Sequence, residues 1–290
     1  MVIIRLQGGL GNQMFQYALF RKLDIAGREV KIDDEQILSE GNQHNGLELE
    51  RVFGITYPRA AHEECAAFTS PLTVSERIYN KAAAVFNKVN IRHTIYEDKL
   101  SFKPQIMDMD KAYLCGYWQS EKYFADVRTD IVNSFTFVKI DADGEDRNRT
   151  MAAEMKECNS VAIHVRRGDY VSDQVMRTCD LGYYERAVRY LRERHKELRF
   201  YLFSDDPKWV RDNFEFLDDY KIIDWNRGKM SYCDMYLMSQ CKHNIIANST
   251  FSWWGAWLNQ NPDKIVIAPE KWSDDTTDFK DLIPDGWIRM

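Results

Sequence analysis

Two adjacent arginines after a short apolar run are the residues in this chain best suited to bind an anion. The stretch HVRRGDY, residues 164–170, places Arg166 and Arg167 directly after the apolar run VAIHV, residues 161–165. A guanidinium is always charged and presents a planar fork of donors, so it can hold a phosphate through two hydrogen bonds. The alternative is a surface turn whose arginines pair with nearby acids, which is common in proteins.

A second pattern typical of anion binding is NSTFSWWGAWLN, residues 248–259. Small hydroxyl residues open a predicted helix there, and Ser249 or Thr250 can cap its first turn. The free backbone N–H groups of such a turn attract a phosphate. Because the segment follows a predicted strand, we favour ligand binding over simple capping for Ser249, Thr250, Phe251 and Ser252. We assign the three tryptophans that follow to packing.

A carboxylate among apolar residues is the third candidate. Asp234 begins the stretch DMYLMSQ, residues 234–240, which has the pattern of a helix. A carboxylate in apolar surroundings needs a hydrogen-bond partner. The N1–H and N2–H₂ edge of guanine would supply two donors. The alternative, an acid on the helix surface, is the interpretation that the sequence alone favours.

The opening stretch matches a dinucleotide-binding loop only in part. Gly9 and Gly11 have the spacing of the first two glycines of GxGxxG, but Met14 stands where the third is required. Asp33 or Asp34 lies about twenty residues further on, as a ribose-binding acid would. An NAD(P)-dependent oxidoreductase therefore stays open as an alternative function. So does a tight turn without a ligand.

Metal binding has weak support. The acid pairs at 108–110 and 141–143 resemble the DxD metal site of some sugar-nucleotide enzymes, but neither follows a clear strand. The six cysteines form no CxxC pair, which argues against a zinc ribbon and against a small disulfide scaffold. We therefore expect no metal and no cofactor.

Composition indicates a globular protein in a reducing compartment. The 290 residues can form two domains, and the net charge of −6 argues against a general nucleic-acid binder. No signal peptide and no run of 18 apolar residues is visible, so we expect a cytoplasmic protein without a membrane span. Contact with the inner face of a membrane stays open. The 8 Trp and 15 Tyr keep a non-catalytic carbohydrate-binding protein as a further alternative.

The elements that must position these residues are clearest in the second half. Helical patterns at 181–197, 207–214, 231–241 and 250–259 alternate with five short apolar runs, at 161–165, 199–204, 220–224, 243–248 and 264–269. This alternation predicts an α/β fold with a parallel sheet, and ligands of such sheets bind beyond the carboxyl ends of the strands. Arg166 and Asp205 follow two of these runs directly, so we predict that both contact the ligand.

In the first half of the chain, the sequence pattern predicts a strand, a loop, a helix at 12–24 and a second strand. We also predict a helix at 71–90 and the start of another in the stretch 116–124. The polar stretch at 141–150 is turn-like, so we place the domain boundary there, giving domains 1–150 and 151–290.

Four motifs in order resemble the α-1,2-fucosyltransferase family, glycosyltransferase family 11, in its short bacterial form. They are GGLGNQMFQYA near the N-terminus, HVRRGDY, FSDD at 203–206 and NSTFSWWGAWL. The resemblance covers both halves of the chain. It implies two Rossmann-like lobes of GT-B type, with an acceptor-side domain first and a GDP-sugar-binding domain second.

The same resemblance implies an inverting, metal-independent transfer of L-fucose from GDP-β-L-fucose to the 2-hydroxyl of a terminal β-galactoside. It places Arg166 on the β-phosphate with His164 and Arg167 in support, and Asp234 on guanine. Thr250, Phe251 and Ser252 match the phosphate-binding TFS segment of related α-1,6 enzymes. Gly11 and Asn12 would face the donor across the interdomain cleft. Asp169 is our candidate for the general base.

Overall fold

The computed structural model describes residues 1–39, 45–71, 73–85, 92–97, 100–142, 144–168, 178–273 and 279–290. They form two compact units. The first comprises Met1–Thr136 with Asp278–Leu282, and the second comprises Phe137–Thr277 with Ile283–Met290.

The units divide earlier in the chain than residue 150, where we predicted the boundary. Phe137 belongs to the second unit, where its ring stacks on Tyr232 at 6.2 Å between centroids. The Tyr232 hydroxyl also donates to the Lys139 carbonyl oxygen at 2.7 Å. These contacts join the residues after Thr136 to the second unit, which the polar character of the stretch did not reveal.

The first unit contains a parallel sheet. Its strands are β1 (Val2–Arg5), β2 (Val30–Asp33), β3 (Thr94–Tyr96) and β4 (Ala112–Cys115), in the order β2-β1-β4-β3. Its helices are α1 (Leu10–Ile25), α2 (Glu35–Ser39), α3 (Leu49–Phe53), α4 (His62–Thr69), α5 (Val74–Val85) and α6 (Arg128–Ser134). The predicted helix at 12–24 is confirmed as α1. The predicted helix at 71–90 is confirmed in part as α5, and its residues 72 and 86–90 lie outside the described part of the chain.

The helix predicted to start in the stretch 116–124 does not begin before Glu121. Trp118 has a φ of 54°, a left-handed conformation that a bulky residue rarely adopts. The Glu97 carboxylate accepts hydrogen bonds from the backbone N–H groups of Tyr117, at 2.6 Å, and Trp118, at 3.2 Å. These bonds to a distant acid hold the chain in a turn. Short 3₁₀ segments follow, at Glu121–Tyr123 and Ala125–Val127.

The second unit contains a parallel sheet, as predicted for this half, with six strands where the sequence predicted five. Its strands are β5 (Asn159–Val165), β6 (Leu198–Ser204), β7 (Tyr220–Ile223), β8 (His243–Ile245), β9 (Val266–Ala268) and β10 (Ile288–Arg289). Its helices are α7 (Arg147–Glu157), α8 (Leu181–Arg192), α9 (Pro207–Asn213), α10 (Tyr232–Gln240) and α11 (Thr250–Leu258). The two units together confirm the predicted α/β fold.

Successive side chains of β5 are buried on opposite faces of this sheet. Val161, Ile163 and Val165 pack in one apolar cluster with residues of α8 and α9. Ala162 packs in the other cluster, which includes residues of α7 and α10. His164 follows the same alternation and therefore lies on the face with Ala162.

The strand order places a switch point between β5 and β8. The sheet runs β10-β9-β8-β5-β6-β7, so the chain leaves β5 towards β6 on one side and later returns to β8 on the other. In open α/β sheets this is where ligands bind, beyond the carboxyl ends of the strands. Arg166 follows β5 there, and residues 246–249 lead from β8 into α11.

Candidate functional site

Arg166 is held at the end of β5 by an acid from the end of β6. Its Nη1 lies 2.9 Å from Asp205 Oδ2, and 31% of the Arg166 side chain is exposed. The other oxygen, Asp205 Oδ1, accepts the backbone N–H of Arg167 at 2.9 Å. The guanidinium is thus fixed in place while part of it stays accessible. Direct contact between Asp205 and the donor stays a prediction.

Arg167 is held against a helix instead. Its guanidinium carbon lies 4.0 Å from the centre of the Trp209 ring in α9. Its Nε lies 3.5 Å from Asp206 Oδ2, and Asp206 also caps α9 by accepting the Trp209 N–H at 3.0 Å. These contacts anchor the arginine loop to α9. No pattern in the sequence indicates that Trp209 takes part, and contact of Arg167 with the donor stays a prediction.

The turn after the arginines leaves room for glycine only. A Cβ added at Gly168 would lie 2.7 Å from Asp205 Oδ2, the oxygen that pairs with Arg166. We expect Gly168→Ala to displace that carboxylate and to lower turnover by up to about 100-fold, since a shift of about 1 Å can do so. Steady-state kinetics and a melting curve check this, with Gly286→Ala, at a position with open space, as the control. Unchanged turnover would show that the pair tolerates displacement.

His164 is buried beside this pair in its neutral form. Only 6% of it is exposed, and its Nδ1 has no hydrogen-bond partner among the described residues. The pKa of His164 is lowered to about 4, mainly by burial; the charge of Asp205 opposes the shift and the positive charge of Arg166 adds to it. A neutral imidazole with an unpaired buried nitrogen is suited to a hydrogen bond with a ligand.

The first turn of α11 lies next to His164. Ile163 of β5 pairs with Ile245 of β8, so the ends of the two strands are neighbours, and the Phe251 ring lies 5.9 Å from the His164 ring. Ser249 caps the helix by accepting the Phe251 N–H at 3.3 Å. Within the described chain, the N–H of Thr250 has no backbone acceptor outside the helix. This helix end therefore offers a donor and a partial positive charge.

Ser252 is turned away from that helix end. It is fully buried, and its hydroxyl lies 3.2 Å from the Ser249 carbonyl oxygen and 3.4 Å from that of Ala247. The hydroxyl proton is thus shared between two carbonyl groups of its own segment. Binding of the donor by Ser252 stays a prediction from the sequence.

Asp234 lies in the first turn of α10, in contact with the loop after β7. Its Oδ1 accepts a hydrogen bond from Asn226 Nδ2 at 2.8 Å, and its other oxygen has no hydrogen-bond partner in the described part of the chain. Burial raises the pKa of Asp234 to about 7, while the Asn226 bond and Arg227 oppose the shift. A raised pKa on a carboxyl group with an open oxygen is typical of a functional position.

The remaining predicted site residues are placed as follows. Asp169 lies outside the described residues. Gly11 and Asn12 belong to α1 in the first unit, where Asn12 Oδ1 accepts from Gln119 Nε2 at 2.8 Å. Gly8, one turn earlier, has a φ of 76°, and a Cβ there would lie 2.5 Å from the Asn12 Nδ2.

The two acids considered for a ribose have structural partners. Asp33 Oδ2 accepts from the Tyr113 hydroxyl at 2.6 Å. Asp34 Oδ2 accepts from Arg59 Nε at 2.8 Å and from the Tyr57 hydroxyl at 2.9 Å. Among the residues described, no cluster of three or more His, Cys, Asp or Glu could hold a metal ion. Nor does this part of the chain contain a helix long and apolar enough to cross a membrane.

Two α/β units with parallel sheets, and a basic side chain and a helix N-terminus at one switch point, fit a glycosyltransferase of GT-B type. The family model for glycosyl transferase family 11 matches residues 75–290, and the chain belongs to that family. This membership sets aside the oxidoreductase and the non-catalytic binding protein.

Several known proteins resemble the chain. It is 32% identical to an alpha-1,2-colitosyltransferase of Escherichia coli, over 100% of this chain and 98% of the relative. It is also 32% identical to the O-antigen biosynthesis glycosyltransferase WbnK of Escherichia coli, over 98% and 99%. A galactoside 2-alpha-L-fucosyltransferase of Caenorhabditis elegans is 30% identical over 60% of this chain and 51% of the relative.

A solved structure shares the fold. The fucosyltransferase NodZ from Bradyrhizobium superposes with a TM-score of 0.50 at 13% identity, over 88% of this chain and 91% of NodZ. At that identity the likeness concerns the fold alone, and it agrees with the predicted GT-B type.

Proposed function

We propose that this chain transfers L-fucose from GDP-β-L-fucose to the 2-hydroxyl of a terminal β-galactoside in a glycan, with inversion at the anomeric carbon. The observation that carries the proposal is the grouping at the switch point of Arg166, the buried neutral His164 and the first turn of α11. All three suit a diphosphate. The transferred sugar is proposed from the fucosyl relative and from the motifs.

In the proposed reaction the acceptor hydroxyl attacks C1 of fucose from the face opposite GDP. The sugar passes through an oxocarbenium-like state, as in other glycosyl transfer. Negative charge develops on the departing diphosphate, where fixed donors stabilise it more in the transition state than in the ground state. Arg166 and the Thr250 N–H would be those donors. Asp169 would accept the proton of the hydroxyl, and no metal has a role in this scheme.

Asp234 would bind the guanine of the donor. Its open oxygen and the second lone pair of Oδ1 can accept the N1–H and N2–H₂ of the base. Ionised carboxylates make such hydrogen bonds strong. A donor site with the phosphates at β5 and α11 and the base at α10 lies wholly within the second unit.

A second donor is tested beside GDP-fucose because one relative is a colitosyltransferase. Colitose lacks a hydroxyl that fucose has, so the two sugars differ little in shape. A site without a donor or acceptor for that hydroxyl would accept both.

The test is a transfer assay with GDP-fucose and GDP-colitose against a panel of β-galactosides, with and without EDTA, followed by linkage analysis. We expect release of GDP that depends on the acceptor, an α-1,2 linkage to galactose, and equal turnover with EDTA. Transfer of colitose alone would correct the sugar, and another linkage would correct the acceptor position. If the protein binds GDP-fucose but releases no GDP with any acceptor of the panel, the proposed activity is contradicted.

A further inference from the structure

A closed set of hydrogen bonds behind Asp234 determines which atom of Asn226 faces its carboxylate. Asn226 Nδ2 donates to Asp234 Oδ1 at 2.8 Å and to Asn148 Oδ1 at 3.0 Å. Asn226 Oδ1 in turn accepts from Asn148 Nδ2 at 2.9 Å. The two amides are buried, with 7% of Asn226 and 3% of Asn148 exposed. They therefore bond each other twice, away from water.

Two groups with a single hydrogen-bonding role fix the orientation of this amide pair. The indole N–H of Trp225 can only donate, and it donates to Asn148 Oδ1 at 2.8 Å. The Ile140 carbonyl can only accept, and it accepts from Asn148 Nδ2 at 2.6 Å. A rotated Asn148 amide would set donor against donor and acceptor against acceptor. Asn148 thus fixes Asn226, which must present its N–H₂ to Asp234.

We infer that the Asn148–Asn226 pair sets the nucleobase preference of the donor site by holding Asp234 as a hydrogen-bond acceptor. The inference rests on the proposed function, in which Asp234 contacts the base. A carboxylate with two accepting oxygens matches the N1–H and N2–H₂ of guanine. A protonated carboxyl group presents one donor and one acceptor and matches the N1 and N6–H₂ of adenine. The amide N–H₂ favours the first state.

The two protonation states of Asp234 are close in free energy near neutral pH. Burial raises the pKa of Asp234 to about 7, and the nearby Asp224 raises it as well. The Asn226 hydrogen bond and the charge of Arg227 lower it. Because the two protonation states are close in free energy at this pKa, the single donor from Asn226 is sufficient to decide which state a bound base meets.

The test exchanges that donor for an acceptor of nearly the same shape. In Asn226→Asp two carboxyl groups would face each other, so they would share a proton at pH 7. We expect the ratio of GDP to ADP affinity, from isothermal titration calorimetry, to fall on the order of 10- to 100-fold. Trp225→Phe keeps an aromatic ring, a smaller one, and removes the N–H that orients Asn148. It should lower the same ratio by a smaller factor.

Asn259→Asp is the matched control. Asn259 is a buried amide of the same unit, and it donates to the Cys241 carbonyl at 2.7 Å and to Asn244 Oδ1 at 2.8 Å. Its replacement should lower the melting temperature without changing the GDP to ADP ratio. Should Asn226→Asp fail to fold, Trp225→Phe decides alone.

An unchanged ratio in the folded Asn226→Asp and Trp225→Phe proteins would overturn the inference. Asp234→Asn distinguishes this from failure of the proposed function. If Asp234→Asn abolishes the preference for GDP while the other two variants keep it, only the role of the amide pair fails. If Asp234→Asn also leaves the ratio unchanged, Asp234 does not contact the base and that part of the proposed function fails.

Discussion

Arg166→Ala is expected to lower turnover on the order of 100- to 1000-fold, the usual effect of removing one fixed donor from a developing negative charge. The guanidinium lies at the end of β5 with its position set by Asp205, so it needs no rearrangement to meet a phosphate. The effect should fall on the transfer step, because charge on the diphosphate grows only as the bond to the sugar breaks.

Arg166→Lys is expected to recover little of this loss. The Arg166 fork can donate to Asp205 and to a phosphate oxygen at once, whereas an ammonium is a point charge without that geometry. Steady-state kinetics of the purified variants give the comparison. Arg194→Ala is the matched control, since Arg194 is 42% exposed and pairs with Glu193 on the surface. Turnover of Arg166→Ala within a few-fold of the unchanged protein would contradict the assignment.

Local sequence patterns were sufficient for most of the second unit because its sheet is built mainly from short apolar runs separated by turns. All five predicted runs are strands, and the four predicted helices between them are present as α8 to α11. The two-residue strand β10 is too short to leave a pattern. Helix α7 escaped prediction because most of its residues are polar and few are buried.

Contacts between distant residues explain what the sequence did not show. The turn at Trp118 depends on the Glu97 carboxylate, and nothing within 116–124 indicates it. The positions of the candidate site residues at strand ends could be predicted from topology alone. Topology could not predict which of the two arginines stays accessible, because Trp209 and Asp206 at α9 bind Arg167.

Asp234→Asn is expected to weaken GDP binding strongly while making the protein more stable. An asparagine offers the base one acceptor and turns an N–H₂ towards a guanine donor. Loss of a hydrogen bond to a charged group, with an unpaired donor left behind, should reduce GDP affinity on the order of 100- to 1000-fold. Calorimetric titration with GDP measures this, and ADP, which lacks the N1–H and N2–H₂ edge, is the control ligand.

The gain in stability follows from the pKa of Asp234. Burial raises it in the folded protein from 3.8 to about 7, so between these values the folded state holds a proton that the unfolded chain has lost. The free energy of unfolding therefore falls as pH rises through that window and stays low above it. Asparagine has no charge to bury. At pH 8 the variant should melt at a higher temperature than the unchanged protein, and near pH 4 the difference should vanish.

The same pKa gives the affinity for GDP a pH dependence. Only the ionised Asp234 accepts both donors of guanine. With a pKa of about 7, about half of the unliganded molecules hold Asp234 in its ionised form at pH 7. GDP binding should therefore strengthen about tenfold from pH 6 to pH 8. Titration of the phosphates affects GDP and ADP alike, so the ratio of the two affinities isolates the carboxyl group. In Asp234→Asn that ratio should be independent of pH. A ratio that is flat in the unchanged protein would mean that the base binds elsewhere.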